Sequence, residues 1–171
     1  MAAILTTTEV KQRLRAAQER SPLLVRPGFL IRRLHQLHGS LFLEETRAFG
    51  ITPVQYSLMT ALAERGELDQ NGLALEIGLE RTSVAEVVPR LMERGLLERR
   101  PSASDRRVKL VRLTRKGRKL LARMAGAAQR AHDRTVERLP AAERDAFLLQ
   151  LITLVEANND VGHVPFRLPQ G

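Results

Sequence analysis

Cysteine and tryptophan are both absent from this 171-residue chain. Without a thiol there is no disulfide, no thiolate metal site and no cysteine-based redox sensor. Aromatic residues make up only 4 %, with a single tyrosine, Tyr56, so a core has to be built from Leu, Val, Ile and Ala. No apolar run approaches the roughly 18 residues that a membrane-spanning helix needs. The amino-terminal stretch carries Glu9 and lacks the long apolar segment of a signal peptide. A cytoplasmic location is the expectation. A phosphate-binding glycine loop, a nucleophile–base pairing and a paired acidic motif are also missing, so no catalytic residue and no cofactor is predicted.

What is present is basic charge, and it is concentrated. The whole chain holds 28 Lys and Arg against 19 Asp and Glu, a net +9. Residues 81–119 alone hold thirteen basic and four acidic residues, also a net +9. The other 132 residues balance, with fifteen of each sign. A neutral body with one concentrated basic element is the electrostatic footprint of a DNA-reading module. Anionic membrane is the weaker alternative, because the basic window has no aromatic-rich amphipathic face. With 43 % hydrophobic residues, the length suits one domain, or two small lobes sharing a core.

Local signals divide the chain into helices and one ribbon. Thr6 with Glu9 has the form of a capping box and opens a short, weakly amphipathic helix, broken by Ser21-Pro22 and Arg26-Pro27-Gly28. Leu30, Ile31, Leu34, Leu37, His38, Leu41 and Phe42 recur at helical spacing. They predict a helix of about five turns over 29–49, ended by Gly50. Thr52-Pro53 starts the next helix, with Val54, Leu58, Ala61 and Leu62 inward. Asp69 caps a short helix that Gly78 ends, and a second short helix runs from 80 or 81 to Arg94. Two short helices about a glycine turn form a helix-turn-helix pattern. Two strands follow, 96–100 and 108–113, joined by the polar, cationic PSASDRR. Thr114 caps a long helix reaching Leu139, Pro140 interrupts, and a final helix turns Phe147, Leu148, Leu151, Leu154 and Val155 inward. The tail from Asp160 on reads as loose.

The second helix of the pair fits the ~12 Å major groove of B-DNA. Arg81 and Arg90 suit guanine O6/N7, Thr82 and Ser83 a phosphate or base edge, and Glu86 cytosine N4. At the ribbon tip, Arg106 and Arg107 lie beside Asp105, and an arginine there is attracted by a narrow minor groove. Pro89 falls midway along the reading helix. It should remove a hydrogen bond to residue 85 and kink the helix, which makes a phosphate the safer partner for Arg90.

Residues 29–157 resemble the MarR family of winged helix-turn-helix regulators. The likeness rests on the helix order, on RGLLERRPSASDRRVKLVRLTRKG, and on Asp105 and Arg107 followed by Leu113-Thr114. It implies a mainly α fold with a small β-wing: a winged helix-turn-helix lobe at 51–113, with interlocking dimerisation helices at 1–50 and 114–171. It also implies a homodimer that reads an inverted repeat with half-sites ~34–36 Å apart, and repression relieved by a small ligand. An architectural DNA-binding protein without an effector is the competing reading.

Effectors of such regulators sit between the dimerisation helices and the winged lobe. Here that cleft would draw on Arg32, His35, His38, Phe42 and Tyr56, a set suited to a small aromatic carboxylate. PGFLIRRLHQLHGSLFLEE with TPVQYSLMTAL is similar to members that control aromatic-acid catabolism, which bind the free acids or their coenzyme A thioesters. His38 has two open readings: a core histidine hydrogen-bonded to a backbone carbonyl, or a ligand contact. His35 and His38 share a helix face, but with no cysteine and no third nearby histidine no metal site is predicted.

Overall fold

The structure, a computed structural model, describes residues 6–162, 164 and 166. Its elements run α1 (Thr7–Arg20), α2 (Pro27–Glu45), α3 (Pro53–Arg65), β1 (Glu67–Leu68), α4 (Gln70–Ile77), α5 (Arg81–Glu93), β2 (Leu97–Pro101), β3 (Lys109–Leu113), α6 (Arg115–Val136) and α7 (Ala141–Ala157). Short 3-10 turns lie at Pro22–Val25 and Arg47–Phe49. The fold is mostly helical, with one small antiparallel sheet, as expected of a winged helix-turn-helix.

The starts of these helices follow directly from their side chains. Thr6 and Thr52 each accept a hydrogen bond from the backbone N–H three residues on, while Glu9 and Gln55 reach back to accept from the capping residue's own N–H. Asp69 Oδ1 accepts from Gly72 N at 2.7 Å, and Thr114 Oγ1 from Gly117 N at 3.0 Å. Each cap satisfies an amide that the helix itself leaves unpaired.

The core gathers one face from most elements. Phe42, Leu58, Met59, Leu62, Leu73, Val84, Val88, Leu91, Leu96, Val111, Leu113 and Met124 are buried together. α2 lies along α6, and α3, α4 and α5 close around the sheet. At the base of the wing, Thr114 donates from its backbone N–H to the Leu96 carbonyl. Gly117 faces the same carbonyl, so close that an added Cβ would collide with it.

Several expectations need correction. The ribbon is a three-stranded sheet in the order β1-β3-β2, because Glu67 and Leu68 pair with Arg112 and Val111. The helix expected over 29–49 begins at Pro27 and stops at Glu45. Beyond it Thr46 turns its backbone N–H and hydroxyl onto the Phe42 carbonyl, and a 3-10 turn leads to Gly50. The long helix ends at Val136, three residues short of Leu139. Val54 is half-exposed, and Met59 takes an inward place in α3 instead. The largest departure is α7, none of whose residues is buried. Leu148, Leu154 and Val155 were expected inward and stand about half-exposed, as do Leu149 and Ile152. Leu30, Ile31 and Leu37 on α2 are exposed as well. Among the described residues these side chains are covered only in part. Most of the tail expected to be loose lies outside the described residues; within it, Phe166 exchanges two hydrogen bonds with the Asn159 side chain.

Candidate nucleic-acid interface and effector site

The helix-turn-helix is α4 and α5. Gly78 joins them at φ 60°, a left-handed conformation that glycine adopts without strain. The N-cap of α5 is Glu80, whose side chain makes no capping bond; it accepts instead from the Thr82 hydroxyl at 3.3 Å. The first amides of α5 are thus left without a side-chain acceptor, at the end of a helix that favours anions. Arg81, Thr82, Glu86 and Arg90 are exposed and Ser83 is half-buried. Val84, Val88 and Leu91 bury the opposite face.

Pro89 does not break α5, which runs through it to Glu93. Pro89 and Ala85 both lie on the exposed face. The Ala85 carbonyl that loses its amide partner can therefore be hydrated rather than stranded in the core.

The wing brings its cations back toward α5. A cavity of about 330 Å³ is bordered by Asp69, Gln70 and Asn71 from the start of α4, Arg81 from the start of α5, and Arg99, Arg107 and Lys109 from the wing. Arg81 and Arg107, 26 positions apart in the sequence, thus flank one groove. Arg99, Lys109, Gln70 and Asn71 were not singled out from the sequence. Arg99 and Lys109 carry the right charge, but nothing in their local pattern separates them from Arg100 and Arg112.

Ion pairing makes that separation. Arg100 pairs with Glu67 across the sheet, and Arg112 with Glu98 at 2.7 Å. The Arg100 guanidinium holds the Glu67 carboxyl below its ordinary range. Asp105 acts locally. Its carboxylate accepts from the Arg107 backbone N–H at 2.9 Å, and its carbonyl accepts from Val108 N at 2.9 Å. It shapes the tip and leaves the Arg107 side chain 93 % exposed. Arg106 is exposed beside it.

The five residues expected in an effector cleft do not all converge. His38, Phe42 and Tyr56 do: the Phe42 ring lies 6.2 Å from His38 and 5.4 Å from Tyr56. Phe42 is 1 % exposed, a core side chain in this conformation. Arg32 lies over the Phe29 ring at 5.3 Å, and His35 is exposed. Two residues that the sequence did not flag complete the cluster, both from α6. His132 stacks on His38 at 5.1 Å, and the Thr135 hydroxyl lies 2.8 Å from His38 Nδ1. That hydroxyl gives its proton to the Ala131 carbonyl at 2.7 Å, so it accepts from Nδ1–H. In the neutral ring Nε2 is then left as an acceptor. Burial lowers the His38 pKa from its ordinary value, and the neighbouring His132 and His35 lower it further. His38 is thus hydrogen-bonded to a side-chain hydroxyl and not to a backbone carbonyl.

The MarR family model matches residues 49–108, which span α3 through the wing tip. The transcriptional regulator HosA of Escherichia coli is 30 % identical over 118 residues, covering 69 % of this chain and 86 % of HosA. This chain belongs to the MarR family. Members of the MarR family are transcriptional regulators and not enzymes. Solved MarR-type structures extend the likeness. BpsR of Bordetella bronchiseptica, whose DNA binding is regulated by 6-hydroxynicotinic acid, is 29 % identical with a TM-score of 0.73, covering 77 % of this chain and 94 % of that one. The repressor CouR, bound to a 23-mer DNA duplex, is 29 % identical with a TM-score of 0.71, covering 90 % and 99 %. CouR of Rhodococcus jostii RHA1 has also been solved with p-coumaroyl-CoA. Among the described residues of this chain, no helix is long and apolar enough to cross a membrane.

Proposed function

We propose that this MarR-family regulator is a homodimeric, sequence-specific repressor released from DNA by a small aromatic acid or its coenzyme A thioester. The observation that carries the DNA reading is the convergence of Arg81 with Arg99, Arg107 and Lys109 around one groove. In this reading α5 enters the major groove and presents Arg81, Thr82, Ser83 and Glu86 to base edges, while Arg90 meets phosphate. Arg106 and Arg107 enter the adjacent minor groove, and Asp105 holds the tip that aims them. The exposed apolar residues of α1, α2 and α7 would meet a second copy, which divides the chain into dimerisation helices at 1–50 and 114–171 and a reading lobe at 51–113.

The effector reading is supported by the His38, His132, Thr135 and Tyr56 cluster between α2, α3 and α6. His38 Nε2 is a ready acceptor for an acidic or phenolic proton, and Tyr56 can offer its ring. BpsR and CouR, whose effectors are a hydroxylated aromatic acid and an aromatic thioester, make this ligand class the one to test.

The test is fluorescence anisotropy on operator DNA with random duplex as competitor, followed by titration of aromatic acids and their thioesters. Specific binding that one compound reverses, while raising Tm by mass action, is the expected result. A specificity ratio near one would instead show an architectural DNA-binding protein.

A further inference from the structure

A second concentration of unneutralised charge lies away from the groove that Arg81 and Arg107 flank. A cleft of about 680 Å³ opens between the end of α5 and the first half of α6. Its walls carry Arg94, Arg115, Lys116, Lys119 and Arg123 over a floor of Leu96 and Leu120, and no acidic side chain borders it. Arg115, Lys119 and Arg123 are spaced four apart, so they form one strip along α6. None of the five cations belongs to an ion pair among the described residues. Farther along the same helix, Arg130 and Arg134 are neutralised by Glu45 and Glu44.

Part of this cleft is already fixed in place. Arg94 donates to the Gly50 carbonyl at 2.7 Å and to the Phe49 carbonyl at 3.0 Å. Lys116 Nζ donates to the Arg94 carbonyl at 2.7 Å. These two cations are held by backbone, while Arg115, Lys119 and Arg123 are exposed and uncommitted. Fixed cations facing free ones, across a concavity within the ~300–1,000 Å³ range of small-ligand sites, suit a compact polyanion.

Two alternatives fit less well. Arg94 follows the last residue of α5, and Arg81 is the first, which at ~1.5 Å per residue puts them about 20 Å apart. The cleft therefore stands at the far end of the helix from the base-reading residues Arg81–Glu86, with the proposed phosphate contact Arg90 about one turn from it. A second copy of the chain is no better an occupant, since the exposed large apolar side chains lie elsewhere and none is on α6.

We propose that the cleft between Arg94 and the Arg115–Arg123 strip of α6 is a binding site for a diphosphate-bearing small molecule, distinct from the DNA groove and from the His38 cluster. Two adjacent phosphates span the fixed and the free cations, and the Leu96–Leu120 floor lies beneath whatever organic group the diphosphate carries. The site does not depend on the identity of the aromatic effector.

Calorimetric titration of the full chain at constant ionic strength tests this, with inorganic pyrophosphate, ADP and orthophosphate as probes. Pyrophosphate and ADP should bind, with orthophosphate at least ~10-fold weaker, because it cannot bridge both walls. ADP binding tighter than pyrophosphate would mark a nucleotide as the source of the diphosphate, and equal affinity a site for the phosphates alone; both support the proposal. Lys119→Ala/Arg123→Ala should weaken both probes by about tenfold or more with Tm unchanged, and Arg81→Ala/Arg107→Ala should leave both affinities intact. Absence of binding to the wild-type chain, or retained affinity in the Lys119/Arg123 variant, overturns the proposal. So does loss of the probes in the Arg81/Arg107 variant, which would place them in the DNA groove. Weakened duplex binding by the Lys119/Arg123 variant, with no pyrophosphate binding to the wild type, would make the cleft a DNA-backbone contact instead.

Discussion

His38 and Thr135 are 97 positions apart in sequence and 2.8 Å apart in space. The bond orients the ring in either protonation state; burial, with His132 and His35 beside it, lowers the His38 pKa and favours the neutral form. The unfolded chain binds this proton near pH 6.5, and the folded chain only at lower pH. The stabilisation is therefore fully present above about pH 6.5 and is lost as pH falls through the lower folded value. Tm should decline between pH 7.5 and 5.5 more steeply in the wild type than in His38→Gln; parallel curves would remove His38 from the linkage. Gly117 gives a second expectation at this scale. Gly117→Ala should destabilise by roughly 1–3 kcal/mol, since the new methyl meets the rigid Leu96 carbonyl, and urea denaturation reads this directly. The sequence placed His38 on its apolar stripe because periodicity within one helix is local information. It did not reveal His132 or Thr135, because which face of α6 meets α2 is settled by packing across the whole chain. Arg32 stands apart from the cluster, because Phe29, three residues earlier on its own helix, offers its ring face to the guanidinium.

α5 and the wing were legible as elements because each carries start and stop signals within a few residues. Asp69, Gly78 and Thr114 mark the boundaries they were expected to mark. β1 was not, since two residues are too few to alternate and become a strand only when Arg112 and Val111 supply the ladder. Pro89 is the instructive case. It removes the hydrogen bond to the Ala85 carbonyl, and because that carbonyl lies on the exposed face, water can reach it while α5 continues to Glu93. Replacing Pro89 with Ala should stabilise the chain by about 2 kcal/mol, the ~3 kcal/mol interior penalty less the entropy proline removes from the unfolded state. A thermal melt checks this, and a lower Tm would mean that the ring packs usefully. The wing makes a separate prediction. Arg107→Ala should weaken DNA binding and reduce the slope of log K against log salt by about one unit if the side chain meets phosphate. Weaker binding with an unchanged slope would mean that it reads the groove without releasing a counterion.

In the molecule as a whole, the apolar pattern of α7 predicts burial that the single chain does not supply. Leu149 and Ile152 stand 63 % and 51 % exposed beside Leu148, Leu154 and Val155. Hydrophobic periodicity states that a face wants cover; it does not state whether the same chain provides it. If a second copy does, Leu149→Asp/Ile152→Asp should shift the protein to monomer in analytical ultracentrifugation and abolish high-affinity binding to a two-half-site duplex. A monodisperse dimer in that variant would move the interface away from α7. The grip of Arg94 on the Phe49 and Gly50 carbonyls acquires a mechanical meaning on this scale. It acts as a tie-rod: one end is the foot of α5, the other the hinge where α2 hands over to α3. α5 cannot roll about its axis without either dragging that hinge or stretching two bonds to a cation. If a guest beside His38 displaced α2, the motion would thus reach α5 as torque, with no need for the guest to approach it.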